Sequence, residues 1–415
     1  MAANTIHLHD KNRWAAWMDT GILLCLSALV VILPIAHTTS IRAGLEILAL
    51  LLWIIKMLCS RKVLVTRTPL DLPLLLFLLT ILISLFTSLK LSASLNELRG
   101  EFLTYTLLFY LTASNIRSET SVKCLVQALL FGSMIMAVYG IIDFFANSGD
   151  IFSIRYRAGS LHQGYEAYAQ YIIMVLPFNV LFIFYMRDRW TRIFFAALLV
   201  LNCFALFLTH TRGAWLAGYA ELMLLAFFVL KRRFRWTVLA LIVAAPLVMV
   251  KMLPEHTVWH GANGLAIEGV TSQRRFNTAV ERLVVWKTFV DEFPKDPFTP
   301  AGYGKVNFKR RFAGKDMLGF EQAHNTFINV ATQLGVQGLA ALLVIIFFIL
   351  KVCLMVRRSA ATELTRSFGL AMFIMTIGFF TANQFAEFYI DDAAQMFWLL
   401  VGVAVALYKR NTKGA

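Results

Sequence analysis

Residues 193–230 read IFFAALLVLNCFALFLTHTRGAWLAGYAELMLLAFFVL. Two apolar runs, near 191–209 and 213–230, each approach the roughly 20 residues that a helix needs to cross the hydrocarbon core of a bilayer. The gap between them is a handful of residues and contains Arg212. So short a gap is a turn at a membrane surface, and the cation in it sits beside two spans at some cost.

The same scale applied outward along the chain gives about twelve such runs. They fall near 20–37, 41–58, 70–89, 98–115, 122–146, 164–186, 191–209, 213–230, 236–252, 325–350, 364–382 and 393–408. A chain of 415 residues that is 59% hydrophobic and 15% charged, with mean hydropathy +0.68, lies outside the soluble globular range. The expected fold is an all-α integral membrane protein of about 12 transmembrane helices. Residues 1–252 hold the first nine spans with short loops, 253–324 form one large polar loop, and 325–415 hold the last three spans and the C-terminus. The first apolar run is read as retained, because no small-residue cleavage pattern follows it. None of the five cysteines lies in the large loop, so neither a disulfide framework nor a cysteine zinc site is expected.

Lysines and arginines set the orientation. With the N-terminus in the cytoplasm, the great majority of cations fall in cytoplasmic segments. The short outer loops keep only Arg42, Lys90, Arg99, Arg155, Arg157 and Arg212. Both termini are then inside, the large loop is outside, and the formal charge of +15 needs no nucleic-acid partner beyond anionic membrane lipid.

Three outer features stand before inward-running helices: RYRAGSLHQGYEAYAQY, THTRGAW and EQAHNTFINVATQLGVQGL. Such helices point unpaired N–H groups and a partial positive charge at the outer surface, which favours an anion. If the three spans pack together, Arg155, Arg157, Arg212 and His324 converge on one anionic ligand. Arginine suits a phosphate because its planar fork donates two charge-assisted hydrogen bonds at once. The plainer reading of Arg212 is an interfacial arginine reaching headgroups. Arg155 and Arg157 alternate, so one of them faces away, and Arg157 is the preferred member. His324 sits where the large loop meets span ten, with Asn325 or Thr326 able to cap the helix. Imidazole accepts protons near neutrality, and neighbouring arginines lower its pKa. A lone histidine at such a junction is as often structural; His162 and His210 are rivals.

In the large loop, RRFNTAVERLVVWKTFVDEF reads as an amphipathic helix with an apolar stripe of Phe276, Val280, Leu283, Val284, Trp286 and Val290. Arg282 extends over the site or is merely solvated. PKDPFTPAGYGKVNF is a Pro/Gly turn region of the kind that forms lids. Glu387, Asp391 and Asp392 in the last outer loop bind a cation or stay wet, with the wet reading preferred. Glu46, Asp143 and Glu221 offer a proton path or interhelical hydrogen bonds. Walker A, HExxH, GxSxG and outer DxD patterns are absent, and no metal or cofactor is expected.

These features together resemble the bacterial O-antigen ligase family, within the group that includes O-antigen polymerases. The resemblance rests on the span count, the late outer loop, THTRGAW, ERLVVW followed by AGYG, and HNTFINVATQLG with a glycine eleven residues after the histidine. It implies a membrane-embedded fold like that of C-type glycosyltransferases. The implied activity is metal-independent, inverting transfer of a polymerised glycan from undecaprenyl diphosphate to a sugar hydroxyl of lipid A-core. The implied place is the periplasmic face of the bacterial inner membrane. By motif, Arg212 and Arg282 hold the diphosphate, His324 activates the acceptor hydroxyl, and Arg157 matches an arginine-glycine element less securely. An O-antigen polymerase is the nearest alternative. The short tail after the last span disfavours an oligosaccharyltransferase acting on protein, and a lipid-linked glycan transporter would be expected to show inverted repeats.

Overall fold

A computed structural model describes residues 2–116, 118–148, 150–152, 156–162, 164–240, 278–312, 314, 322–385 and 392–413. The described residues are helices and their connections. In chain order they are α1 (Ala2–Ile32), α2 (Thr39–Ser60), α3 (Asp71–Leu85), α4 (Leu91–Glu97), α5 (Thr104–Asn115), α6 (Glu119–Asn147), α7 (Tyr165–Tyr185), α8 (Arg189–Leu208) and α9 (Arg212–Val229). After the large loop begins they continue as α10 (Thr278–Glu292), α11 (Lys305–Arg311), α12 (Thr326–Arg358), α13 (Glu363–Ala382) and α14 (Asp392–Lys413). Among the described residues, nine helices are long and apolar enough to cross a membrane. The chain is an all-α, multi-pass membrane protein.

Three expected spans differ in detail. The third is only Asp71–Leu85. The fourth starts early, at Leu91, because a π-helical turn over Leu98–Leu103 joins α4 to α5. The tenth is longer than a bilayer requires and is broken at Gly335 (φ 76, ψ −178), so its uninterrupted part is 336–358. The expected ninth span is helical over 232–240, and its remainder lies outside the described residues.

Burial separates centre from rim. In α7 and α14, 83% of the span is buried inside the protein, against 17% in α2, whose Leu51 and Leu58 face outward as lipid-facing residues do. Hydrogen bonds inside the bundle run from tyrosine to backbone. Tyr168 and Tyr171 donate to the carbonyls of Met136 (3.0 Å) and Leu129 (3.2 Å) on α6. Gly140 admits the first of these, since a Cβ there would stand 2.8 Å from the Tyr168 hydroxyl. In an apolar solvent these bonds satisfy polar groups that have no water.

Contacts between loops define two ends, as alternating spans require. At one end Ala36 N–H donates to Leu161 O (2.8 Å) and Ala158 N–H to Leu208 O (3.0 Å). At the other, Thr362 and Arg410 both reach Glu119, and the buried Lys56 pairs with Asp19 and donates to Asn115 (3.0 Å). The first end carries the candidate site.

Candidate active site

Arg212 opens α9. Thr211, before it, offers no side-chain cap, so the first-turn N–H groups face outward together with an exposed guanidinium. Among the described residues nothing pairs with that guanidinium. The turn behind it is stiff: His210 adopts φ 49, Phe207 stacks on Trp215 (5.5 Å, 9°), and the Trp215 indole donates to Leu206 O (3.0 Å). His210 itself is buried among Phe144, Phe207 and Trp215, which makes it part of the turn. Burial, then the charge of Arg157, holds its pKa below the ordinary value.

Arg157 follows the same rim. The Ala158 bond to Leu208 fastens its segment to the end of α8, and its guanidinium lies 4.6 Å over the ring of Tyr165, the first residue of α7. Arg155 lies outside the described residues.

The next residue of α7, Glu166, accepts a hydrogen bond from Arg282 Nη2 (3.4 Å). This places Arg282, in α10, against the bundle with its side chain 20% exposed. The buried face of α10 differs from the expected stripe: Val285 is fully buried with Trp286 and Phe289 beside it, whereas Leu283 and Val290 are exposed. Positions 282, 285, 286 and 289 share one helical face, and 283 and 290 share another. Arg282 therefore lies on the inward face and is not a solvated outer arginine. One turn on, Trp286 touches two elements. Its indole N–H donates to Ala323 O (2.9 Å), and its ring centroid is 6.1 Å from that of Phe385, after α13. Phe385 in turn packs on Gly213, next to Arg212.

His324 follows Ala323 directly, half-buried and with φ 47. Burial lowers its pKa to about 4, with the charges of Arg282 and Lys305 adding to the effect. Its imidazole is therefore neutral at physiological pH. Asn325 caps α12, accepting from the N–H groups of Phe327 (3.0 Å) and Ile328 (3.2 Å), and donates to Gln384 (3.2 Å). An arginine at a helix start, a second arginine on the loop helix and a neutral imidazole thus share one rim.

Residues 197–343 match the model of the O-antigen ligase family. The match runs from α8 through the large loop into α12 and so includes Arg212, Arg282 and His324. The match covers less than half of the chain, and over that stretch the chain is similar to this family. No curated protein matches the chain.

The ligase-family pattern also acquires a physical reason at its glycine. At Gly335 the helix ladder is interrupted, and the carbonyls of Thr332 and Gln333 accept from the N–H groups of Ala301 and Gly302 instead (both 3.1 Å). The Pro/Gly turn region is thereby pinned. Ser94 donates to Tyr303 O (2.5 Å), Lys305 N–H donates to Glu97 (3.1 Å), and Leu89 N–H donates to Asn307 (2.8 Å). These bonds hold Lys305 near His324.

Other candidates lie elsewhere. Asp392 is not simply wet: it pairs with Arg42 and lies 3.4 Å from His162, which ties α2 and the segment before α7 to the start of α14. Glu387 and Asp391 lie outside the described residues. Glu46 accepts from Gln395, and Asp143 accepts from Tyr156 (2.6 Å), so both make interelement hydrogen bonds. Glu221 is fully buried, and neither of its oxygens is hydrogen-bonded among the described residues. The sequence reading missed Glu166, Gly213, Trp286 and Phe385 as site members; only the i, i+4 spacing of Arg282 and Trp286 hinted at one of them.

Proposed function

We propose that the protein transfers a polymerised O-antigen glycan from undecaprenyl diphosphate to a sugar hydroxyl of lipid A-core. The reaction takes place at the periplasmic face of the bacterial inner membrane, with both termini cytoplasmic. Arg212, Arg282 and the first turn of α9 bind the donor diphosphate, with Arg157 at its edge. His324 takes the proton of the acceptor hydroxyl as its oxygen attacks the anomeric carbon. The bond from that carbon to the diphosphate breaks, and its electron pair leaves with the diphosphate, where the arginines stabilise the charge. One displacement inverts the anomeric centre, and a single base suffices.

The observation that carries this reading is the contact path from Arg212 to His324 through Gly213, Phe385, Trp286 and Ala323. It joins the cations and the base along one rim, where Glu166 accepts a hydrogen bond from Arg282. A glycosyl diphosphate already has a competent leaving group, so charge stabilisation and orientation are what the site must supply. Burial is the main cause of the lowered pKa and the charge of Arg282 a lesser one; a diphosphate beside Arg282 opposes that lesser part and raises the pKa of the imidazole.

The test is reconstitution in lipid with purified lipid-linked glycan and lipid A-core. Glycan joined to lipid A-core supports the reading. Elongated donor with free lipid A-core identifies a polymerase, and movement of donor across the bilayer without bond cleavage identifies a transporter.

A further inference from the structure

Ala323 is held on both sides of its backbone. Its N–H donates to Asn329 Oδ1 (2.9 Å), and its carbonyl accepts from Trp286 Nε1 (2.9 Å). The residue is 1% exposed, so neither bond is exchangeable for water without cost. The next residue is His324, in a left-handed backbone conformation that residues other than glycine seldom adopt. Such a conformation persists only where its surroundings over-determine it. Asn325, which follows, is fixed as the cap of α12. The backbone on either side of the histidine is therefore specified, and one of the specifying bonds comes from a different element, α10. That helix also carries Arg282, one turn before Trp286, on the same face.

We infer that Trp286 is a positioning residue for the transfer reaction: its indole N–H holds the Ala323–His324 peptide in register with Arg282, fixing base and diphosphate-binding arginine on one rigid element. The inference rests on the proposed role of His324 as base. The contacts of Trp286 that carry this role are to the protein: the Ala323 carbonyl and the Phe385 ring. Its ring against Phe385 adds the link to Gly213 and Arg212, so one side chain ties three functional groups together. Small misplacements of reacting groups are costly because orientation is a large share of catalysis. Among the described residues, the charged groups that act on the histidine are Arg282 from α10 and Lys305 from α11, with Glu166 of α7 against Arg282. A histidine released from this position gains solvent and loses the proximity of those cations.

The test is Trp286→Phe in the full chain, in lipid, with purified donor and acceptor. The phenyl ring keeps part of the aromatic contact and removes the N–H together with the fused ring, so the benzothienyl analogue of tryptophan, which removes the N–H alone, is run beside it. The expected result is a lowered melting temperature, because the buried Ala323 carbonyl loses its donor, and, in the protein that remains folded, kcat lower by about tenfold, donor KM within about twofold, and an acid limb of kcat/KM displaced upward toward pH 6.5. Should Trp286→Phe not be recovered folded, the analogue at position 286 keeps the same ring shape and is read in the same way. Wild-type kcat with an unmoved acid limb overturns the inference. So does a loss of activity that only follows the loss of folded protein, with the limb unmoved, since that is a packing role. His324→Ala, run in parallel, keeps the two claims apart. Retained turnover in that variant rejects the base itself, whereas its inactivity beside a normal Trp286→Phe rejects only the positioning role.

Discussion

Phe385 packs directly on Gly213: a Cβ placed on that glycine would stand 2.7 Å from the Cδ2 and 2.8 Å from the Cβ of the phenylalanine. The near atoms belong to the root of the side chain and cannot swing away alone. Gly213→Ala therefore displaces the end of α13 from the start of α9 and disturbs Phe385 against Trp286. Overpacking of this kind costs about 1–3 kcal/mol, offset by less than about 1 kcal/mol of helix propensity. Thermal melting in detergent is expected to fall and turnover to drop, although no charged group has been removed. Unchanged melting and turnover would show that the contact is dispensable.

Arg212 is exposed and unpaired among the described residues, so its loss leaves no buried partner uncompensated. Arg212→Ala is expected to melt like wild type and to lose about 100-fold or more in kcat/KM, the scale of a lost anion-stabilising donor. Arg212→Lys keeps the charge but not the two-pronged geometry, and is expected to recover little. Steady-state assays paired with melting curves check both.

The depressed pKa of His324 fixes the sign of the pH response. Protonation removes the base, so activity falls as pH drops through the pKa and is flat above it. In kcat/KM, which reports the free enzyme, the limb from His324 lies near pH 4, well below the usual 6.5. In kcat, with diphosphate opposing Arg282, it lies higher. A kcat limb at or below that of kcat/KM would contradict the pairing of Arg282 with the donor.

Gly335 occupies a backbone region that is open essentially only to glycine. Gly335→Ala is expected to destabilise the protein by about 1–3 kcal/mol and to release residues 297–305 from the helix break. Limited proteolysis of that segment should quicken, and it stays at the wild-type rate if the break does not hold the loop.

Much of this was legible in the sequence because the membrane simplifies the code. Apolar length alone locates most of the helices, and an arginine confined at position 212 to the three-residue gap between two spans has few places to go. Asn325 before a long apolar run similarly announces a cap. What stayed hidden depends on contacts between distant segments. The break at Gly335 lies inside a stretch that reads as one span, where a glycine passes as tolerable helix. The stripe on α10 was misphased because Leu283 and Val290 are as apolar as Val285, and only the docking of Trp286 decides which face turns inward. Asp392 looked solvated until Arg42, 350 positions earlier, was brought beside it.

The central claim is that Arg212 and Arg282 grip one lipid diphosphate while His324 acts on the acceptor. Equilibrium binding of undecaprenyl-diphosphate-linked glycan to wild type, Arg212→Ala, Arg282→Ala and His324→Ala in lipid nanodiscs tests it most directly. The account predicts about tenfold or greater weakening for each arginine variant and unchanged affinity for the histidine variant, which nevertheless transfers nothing. Wild-type affinity in both arginine variants, or weakened binding confined to His324→Ala, would contradict it.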